Sequence, residues 1–294
     1  MEADASAMLK KRVAAVLNTS SGGCDEAAQA KIRAVFDQAG LTHATVTAVT
    51  SDEIDAVVDA AIAACDVLVV LGGDGTIMTA ADKCGAAGVP LIPLPGGTMN
   101  LLARALYGPV GWERALSETL ANPRVRIVSG GKAQGRSFYC VAMLGTPTLW
   151  ADAREALRHG DLVGAVARSV TAIRRGGGNR LSYRMGDRLT GSAEAVAVIC
   201  PLVSRSLAQD AQSLECVALD PETAAEVFRL AMHAMFDDWR HDPSVERARV
   251  KTITVTGHGR IPVILDGESV KVGRTVTITF QPMAFSAITP ADPA

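Results

Sequence analysis

The chain has 294 residues, 48% of them hydrophobic, so it can bury one large core or two medium ones. Its formal net charge of -2 excludes a global basic field for steering onto polyanions, so we expect no nucleic-acid partner. Its apolar runs, such as Val67 to Leu71, are much shorter than the ~20 residues of a spanning helix, so we expect no membrane span.

The first part of the chain alternates short β-rich runs with longer helical stretches. In chain order the predicted elements are strand Arg12 to Leu17, helix Asp25 to Ala39, strand Ala44 to Val49, helix Asp52 to Ala64, strand Val67 to Leu71, helix Met78 to Ala87 and strand Leu91 to Leu94. Because parallel strands need crossover connections, this order predicts an α/β domain with a doubly wound parallel sheet. We assign residues 1–124 to it.

From about Val125 the pattern changes to separate β-rich runs with longer spacers. The predicted strands are Arg126 to Val128, Phe138 to Leu144, Arg180 to Met185, Ala193 to Cys200, Leu214 to Leu219, Arg249 to Thr256, Ile261 to Leu265 and Thr275 to Phe280. Two helical insertions interrupt them, Leu149 to Arg175 and Pro221 to Arg240. This pattern predicts a second, antiparallel domain over residues 125–280.

The cysteines and the amino-terminal residues indicate the cellular compartment in which the protein is expected. The six cysteines are scattered without a C-x-x-C pair, which predicts reduced and mostly buried thiols. Residues Met1 to Ser6 are acidic and no apolar stretch follows them, so they do not read as a secretory signal. We therefore expect a cytoplasmic protein.

The strongest local signal follows strand Val67 to Leu71, where the sequence G-G-D-G-T leads directly into a helix. Glycines let the backbone approach a ligand closely, so N–H groups and the helix N-terminus can face phosphate oxygens. Asp74 could hold Mg²⁺ beside such phosphates. The same residues could also form a plain strand-to-helix turn with Asp74 as the N-cap, so this turn alone leaves both interpretations open.

Two further turns of small polar residues follow other predicted strands. Pro95 to Asn100 follows strand Leu91 to Leu94, and Asn18 to Gly22 follows the first strand. Open α/β sheets place ligands at the carboxyl ends of their strands, where all three turns are predicted to lie. There is no G-x-G-x-x-G after the first strand and no G-x-x-x-x-G-K-[ST] anywhere, so the sequence predicts a phosphate site without a P-loop lysine.

These motifs resemble the diacylglycerol kinase catalytic family, which includes bacterial diacylglycerol kinases and the sphingosine and ceramide kinases. The matching stretches are Asn18 to Gly22 against N-P-x-S-G, Gly72 to Thr76 as G-G-D-G-T, Pro95 to Asn100 against P-x-G-T-x-N, and Leu265 to Glu268, which carries D-G-E. The resemblance implies an ATP-dependent lipid kinase with an N-terminal nucleotide domain and a C-terminal β-sandwich. It also implies that residues 281–294 pack back on the first domain.

The resemblance also implies the site residues, with ATP and Mg²⁺ as cofactors. The expected nucleotide-binding residues are Asn18, Ser20, Ser21, Thr50, Gly72, Gly73, Asp74, Gly75, Thr76, Gly97, Thr98 and Asn100. Asp266 and Glu268 would carry the acid–base chemistry, with Glu268 the preferred base and Asp74 a competing candidate. Asp74 is also the expected ligand of the Mg²⁺ that accompanies ATP.

Two departures from the family pattern bear on these expectations. Met78 and Thr79 stand where the family often has Asn-Glu, so a polar contact near the phosphates is expected to be missing. The stretch Ala211 to Cys216 stands where the family often has the D-G-x-L-D-V of an accessory structural Mg²⁺ site. That accessory site is therefore expected to be absent.

The segment Leu149 to Arg175 is locally basic and amphipathic, with five arginines against three acidic residues. It predicts either a docking region for the lipid substrate at the inner face of the membrane or an ordinary solvated helix face. The acceptor is open between diacylglycerol and a ceramide or sphingoid lipid. An NAD kinase, which shares G-G-D-G-T, and a non-catalytic nucleotide-binding protein are the alternatives. The oligomeric state is also open, a dimer included.

Overall fold

The computed structural model describes residues 5–145, 180–187, 189–204, 206–208, 210–220 and 243–291. The chain forms two compact units: unit 1 comprises Met1–Ser129 and Pro282–Ala294, and unit 2 comprises Gly130–Gln281. The domain limits expected from the sequence stay predictions. The two predicted helical insertions lie outside the described residues.

Unit 1 alternates strands with helices. Its first four strands are β1 Val13–Asn18, β2 Thr45–Val49, β3 Val67–Gly72 and β4 Leu91–Pro95. Its described helices are α1 Ala5–Leu9, α2 Ala28–Gln38, α3 Ile54–Ala64, α4 Asp74–Ala87, α5 Leu101–Tyr107 and α6 Trp112–Ala121. The strands lie in the order β2-β1-β3-β4 and pair in parallel, which confirms the predicted parallel sheet.

The centre and the edge of this sheet differ in burial. Every residue of β1 and β3 is buried, as expected for strands covered on both faces. β2 lies at the edge, where side chains of α2 donate to two carbonyl oxygens: Gln29 to Val46 at 3.1 Å and Arg33 to Ala44, the residue before β2, at 2.9 Å. These two carbonyls are therefore not available to another strand.

The last strand, β16 Thr275–Pro290, is longer than the predicted strand that ends at Phe280, because it continues from unit 2 into unit 1. In unit 1 its residue Ala287 pairs in parallel with Leu91 of β4. The strand passes so close to α4 that a Cβ on Gly85 would lie 2.0 Å from the carbonyl oxygen of Ala284. Only glycine fits at that crossing.

Unit 2 is built from antiparallel strands, and its first strand begins in unit 1. The strands are β5 Pro123–Ala133, β6 Arg136–Phe138, β7 Val141–Gly145, β8 Leu181–Met185, β9 Leu189–Ala193, β10 Ala195–Ile199, β11 Leu214–Leu219, β12 Val245–Val250, β13 Thr252–Thr256, β14 Pro262–Leu265 and β15 Glu268–Lys271. One sheet has the order β12-β11-β10-β7-β14-β15. The other strands of the unit include the antiparallel series β16-β13-β8-β9.

One hydrophobic core of unit 2 draws on both groups of strands. It includes Leu144 and Val198 from the first sheet and Tyr183, Ile253 and Ile278 from the second. Apolar side chains from two sheets that share one core define a sandwich, so the predicted antiparallel sandwich is confirmed.

Two predicted strands of unit 2 differ from the structure. The predicted strand Arg249 to Thr256 is two strands, β12 and β13, which belong to different sheets and meet at Lys251. The predicted strand Phe138 to Leu144 begins only at Val141. Among the residues that the structure describes, no helix is both long and apolar enough to cross a bilayer.

Candidate functional site

Three loops at the carboxyl ends of β1, β3 and β4 meet in unit 1. We call residues 18–24 the first loop, 72–76 the second loop and 95–100 the third loop. The N–H of Gly96 donates to the carbonyl of Gly72 at 2.9 Å, and the N–H of Gly23 donates to the carbonyl of Gly96 at 2.8 Å. The sequence placed these loops at one edge of the sheet, and the structure brings their backbones into direct contact.

The close approach of the loops requires glycine at specific positions. A Cβ on Gly97 would lie 2.7 Å from the Cα of Gly73, and a Cβ on Gly96 would lie 2.9 Å from the nitrogen of Gly72. No heavy atom lies within 4 Å of a Cβ on Gly22. The second and third loops therefore depend on their glycines for backbone packing, whereas Gly22 has room for a side chain.

Asn18 is buried and joins three segments through its amide group. Its Nδ2 donates to Thr76 Oγ1 at 2.8 Å, and its Oδ1 accepts the N–H of Ser20 at 3.0 Å and the hydroxyl of Ser51 at 3.3 Å. Ser51 also donates its N–H to Ser20 Oγ at 3.2 Å. Asn18, expected to contact the nucleotide, thus holds the first loop, the second loop and the end of β2 in register.

The predicted residues Ser21 and Thr50 have different surroundings. Ser21 Oγ accepts the N–H of Gly73 at 3.0 Å, which ties the first loop to the second. Thr50 is exposed, and its hydroxyl donates to Glu53 Oε2 at 3.2 Å at the start of α3. Its neighbour Ser51 makes the contacts to the loops, and sequence reasoning missed it. The signal was available, because Ser51 also follows a parallel strand.

Asp74 is the first residue of α4, which begins four residues earlier than the predicted Met78. Its carboxylate accepts the N–H of Asn100 at 2.8 Å and the N–H of Leu101 at 2.6 Å, so it caps α5. Burial raises the pKa of Asp74, opposed by these two hydrogen bonds, by one from its own N–H and by the charge of Arg104. The second and third loops are joined through this carboxylate.

Asn100 shapes the third loop from within. Its backbone is left-handed, with φ of 51°, a conformation that asparagine tolerates better than most residues. Its Oδ1 accepts the N–H of Gly97 and its Nδ2 donates to the Gly97 carbonyl, both at 2.7 Å. The amide expected to bind nucleotide oxygens therefore folds the loop, and Thr98 is exposed at its tip.

The arrangement can bind an anion through backbone groups. The N-cap of α4 is Gly73, in extended conformation and without a side-chain cap. The first N–H groups of a helix have no partner within the helix, and the helix dipole adds partial positive charge there. Gly73 and Gly75 are partly exposed and have no side chain that could cover the first turn of this 14-residue helix, so phosphate oxygens can approach it.

Arg104 supplies a cation that sequence reasoning missed. It is exposed on α5, one turn after Asn100, and its charge is close enough to lower the pKa of Asp74. The helical spacing from the third loop was the available signal. A guanidinium can pair with a phosphate group, as the lysine of a P-loop does in other nucleotide sites.

The described residues contain no cluster of three His, Cys, Asp or Glu side chains that would form a metal site by itself. Mg²⁺ in kinases is commonly held by one or two carboxylates together with substrate phosphates. Asp74 fits that smaller role, because a carboxylate has about four acceptor positions and the N–H groups of Asn100, Leu101 and Asp74 itself leave one for a metal. The residues present therefore fit a metal that arrives with a nucleotide.

In unit 2, the predicted acid–base residues lie on a tight hairpin between β14 and β15. Leu265 pairs with Glu268, and the two turn residues have positive φ, 44° at Asp266 and 90° at Gly267. This is the geometry of a two-residue type I′ turn, for which Asp-Gly is a favoured sequence. Glu268 is exposed at the start of β15.

The surroundings of Asp266 differ from those of an exposed acid–base residue. Its side chain is 2% exposed, and its carboxylate accepts the N–H groups of Tyr139 at 2.6 Å, Cys140 at 3.0 Å and Val141 at 2.7 Å. A carboxylate occupied by three backbone donors in the interior is not placed to take a proton from a substrate. Of the two predicted acids, only Glu268 is accessible.

The stretch aligned with the accessory metal motif also has a defined structure. Glu215 of β11 is buried, and its Oε2 accepts the hydroxyl of Ser204 at 2.5 Å. The hydroxyl oxygen of Ser204 in turn accepts the N–H groups of Ser206 and Leu207, both at 3.1 Å. The expected absence of an accessory Mg²⁺ stays a prediction.

Comparison with known proteins adds a family match and a fold match. Residues 12–132 match the family profile described as the diacylglycerol kinase catalytic domain. No curated protein sequence is significantly similar to the chain.

Among solved structures, the fold is similar to a protein of Bacillus anthracis str. Sterne provisionally named a diacylglycerol kinase, with a TM-score of 0.76, 17% identity and 96% of each chain covered. A second structure with the same provisional name and organism has a TM-score of 0.74 and 17% identity, with 96% of this chain and 98% of that one covered. A third, named a diacylglycerol kinase of the same organism, has a TM-score of 0.70 and 14% identity, with the same coverage. These likenesses concern the fold.

Proposed function

We propose, from the premise that residues 12–132 belong to the diacylglycerol kinase catalytic-domain family, that this protein transfers the γ-phosphate of Mg·ATP to the hydroxyl of a membrane lipid. The family implies kinase activity, with ATP and a divalent metal as its usual requirements. The lipid acceptor and the identity of the metal as Mg²⁺ are parts of the proposal. The observation that carries it is the contact of the three loops at the N-terminus of α4.

The polyphosphate is proposed to bind to the backbone N–H groups in the first turn of α4, beside the third loop. Phosphoryl transfer needs positioning and charge neutralisation more than covalent chemistry. The N-terminus of α4 and the guanidinium of Arg104 supply positive charge, and the hydroxyl of Thr98 is exposed at the loop tip. Asn18 and Asn100 support this site indirectly, because their amides hold the loops in place.

Mg²⁺ is proposed to arrive with ATP and to meet the carboxylate of Asp74. Bound there, it would neutralise charge on the phosphate oxygens. Asp74 is fixed by two backbone N–H groups, so its oxygens keep a constant position when the nucleotide enters. Replacement by asparagine should therefore weaken the engagement of Mg·ATP more than that of ATP without metal.

Glu268 is proposed as the base that accepts the proton of the attacking lipid hydroxyl. It is exposed and stands on a rigid two-residue hairpin. General-base catalysis contributes roughly 10²- to 10⁴-fold. The variant Glu268→Ala should therefore lose transfer by about that factor while ATP binding stays close to wild type. Ser269→Ala, an exposed neighbour on β15, is the matched control and should be active. Loss of ATP binding in Glu268→Ala would overturn this assignment.

One assay separates the candidate functions. The protein is incubated with ATP carrying a γ-phosphate radiolabel and, in parallel, with diacylglycerol, ceramide, sphingosine or NAD. Label in an organic-extractable product supports the lipid kinase and names its acceptor. Label in an aqueous NAD product identifies an NAD kinase, and ATP binding without transfer to any acceptor identifies a non-catalytic nucleotide-binding protein.

Membrane contact is proposed for the segment Leu149 to Arg175 on its sequence alone, with a cytoplasmic protein that docks at the inner face. Each basic residue near an anionic surface contributes about 1 kcal/mol. Vesicle sedimentation tests this proposal: binding should be stronger on anionic than on neutral vesicles, and should weaken when Arg154 and Arg158 are replaced. Binding that is equal in all these cases would contradict it.

A further inference from the structure

We infer that Asp266 is a positioning residue, whose buried carboxylate fixes the hairpin that presents Glu268. The inference rests on the proposed function, since it takes Glu268 to be the base. It goes beyond that function by giving Asp266 a part in the reaction that requires no contact with substrate, nucleotide or metal.

The carboxylate of Asp266 is held by the chain that enters β7. Its Oδ2 accepts the N–H of Tyr139, and its Oδ1 accepts the N–H groups of Cys140 and Val141, all between 2.6 and 3.0 Å. The backbone N–H of Asp266 donates in the opposite direction, to the carbonyl of Val141 at 2.9 Å. Hydrogen bonds to an ionised acceptor are stronger than neutral ones, so this contact clamps the turn firmly.

The donors are themselves fixed by the end of β10. Cys200 donates its N–H to the carbonyl of Cys140 at 2.9 Å, and its Sγ lies 3.7 Å from the carbonyl of Phe138, which accepts a weak hydrogen bond. β7 pairs with β10 on one side and with β14 on the other. The carboxylate therefore bonds to the bend that leads into β7, an interior strand of the six-stranded sheet, and to the first residue of that strand.

The turn has a strained backbone conformation, which the hydrogen bonds of the carboxylate stabilise. Asp266 has φ of 44°, in the left-handed region that costs free energy for a residue with a Cβ. The two-residue turn sets the register in which Leu265 faces Glu268. The direction of the Glu268 side chain is therefore tied to the conformation of Asp266, two residues earlier.

The test compares Asp266→Asn, Glu268→Gln and the double variant. Asparagine tolerates the left-handed conformation, so the turn can form. An amide has only one acceptor oxygen, so at least one of the three N–H donors faces an NH₂ group and loses its partner. We expect amide hydrogen exchange at residues 139–141 to accelerate in Asp266→Asn and to stay at the wild-type rate in Glu268→Gln.

The kinetic expectations differ for a positioning residue and a base. A misplaced catalytic group can cost roughly 100-fold in rate, so kcat of Asp266→Asn should fall by up to that factor with an unchanged KM for ATP. The pH dependence of kcat due to Glu268 should persist in Asp266→Asn and disappear in Glu268→Gln. The double variant should be no slower than Glu268→Gln alone, because both changes act through one group.

Several results would overturn the inference. They are loss of the pH dependence in Asp266→Asn with its retention in Glu268→Gln, unchanged exchange at residues 139–141, or a double variant much slower than either single one. If Asp266→Asn does not fold, hydrogen exchange in the wild-type protein tests the inference instead. Its amides at residues 139–141 should exchange only through global unfolding, and faster exchange would contradict the proposed hydrogen bonding by Asp266. A wild-type protein without transfer to any acceptor would defeat the proposed function, whereas the exchange rates would still report on the turn.

Discussion

The carboxylate of Asp74 accepts the backbone N–H of Leu101 at 2.6 Å, so the first residue of α4 caps the first turn of α5. The bond joins two loops that follow neighbouring parallel strands, β3 and β4. Together with the Gly96 to Gly72 backbone bond, it fixes the second and third loops against each other. Such preorganisation reduces the ordering cost of nucleotide binding, because the donors are already aligned.

Removal of the Asp74 carboxylate should destabilise unit 1. In Asp74→Ala, the N–H groups of Asn100 and Leu101 lose their acceptor in a partly buried position. An unsatisfied buried donor costs about 1–3 kcal/mol, so the free energy of unfolding in urea should fall by that order. Asp37→Ala, the same change at an exposed position of α2, should stay close to wild type. Equal stability of the two variants would show that the cap contributes nothing.

The raised pKa of Asp74 predicts how the stability of the protein depends on pH. Burial raises the pKa of Asp74 above 3.8, so the folded state binds its proton more tightly than the unfolded state. The stability of wild type relative to Asp74→Asn should therefore decrease as pH rises from 3.8 through the folded-state pKa, and stay constant above it.

Asp66 behaves in the reverse way, because its hydrogen bonds with Arg12 lower its pKa from 3.8. The stability of wild type relative to Asp66→Asn should be fully present above 3.8 and should be lost as pH falls through the folded-state pKa. Urea unfolding of the three proteins between pH 3 and 7 measures both differences. The same slope for both variants would contradict the assignment of their surroundings.

The glycines of the second and third loops can be tested by adding one methyl group. In Gly97→Ala, the Cβ would lie 2.7 Å from the Cα of Gly73, and backbone atoms must move apart. Such overpacking typically costs about 1–3 kcal/mol, and the displaced N–H groups should weaken the binding of a fluorescent ATP analogue. Gly22→Ala, where the Cβ meets no atom within 4 Å, is the matched control and should bind normally. Normal binding by Gly97→Ala would show that the contact of the loops is not needed.

The side-chain amide of Asn18 is predicted to matter because it is uncharged and because it donates a hydrogen bond. In Asn18→Asp, the size is unchanged, but a carboxylate replaces a buried amide between the first and second loops. A negative charge there repels phosphate and loses the donor to Thr76, so nucleotide affinity should fall, by roughly 1–3 kcal/mol. Asn122→Asp, an exposed position in unit 1, should leave the affinity unchanged. Isothermal titration with ATP distinguishes these outcomes, and an unchanged Asn18→Asp would remove the amide from the site.

Much of the fold and the position of the loops could be predicted from local patterns. Apolar runs that end in glycine or in small polar residues mark the ends of buried strands, and all three loops were placed in this way. Boundaries were less accurate where one strand and one helix nearly adjoin. Only Gly73, the N-cap of α4, separates the end of β3 at Gly72 from the helix, so the helix starts at Asp74 and not at Met78.

The partners of the key carboxylates could not be predicted. Asp74 and Leu101 are 27 positions apart, and Asp266 and Tyr139 are 127 apart. Nothing local to Asp266 indicates that its carboxylate turns inward, because an Asp-Gly turn is compatible with an exposed side chain. Only the pairing of β14 with β7 brings it to the donors of residues 139–141.

Arg104 is predicted to contribute to nucleotide affinity and little to stability. It is exposed on α5, so its removal leaves no cavity. Its positive charge lowers the pKa of Asp74, which places it near the second loop. A charge-assisted hydrogen bond to phosphate typically contributes about 1.5–3 kcal/mol, and exposure to solvent reduces this contribution. Arg104→Ala should therefore raise the KM for ATP roughly tenfold, with little change in kcat or in the free energy of unfolding. Arg104→Lys, which retains the charge, should recover part of the affinity. Arg114→Ala on α6, where an exposed arginine pairs with Glu118, is the control for loss of a surface charge. A KM that rises equally in Arg104→Ala and Arg114→Ala would mean that overall charge, and not this guanidinium, attracts the nucleotide.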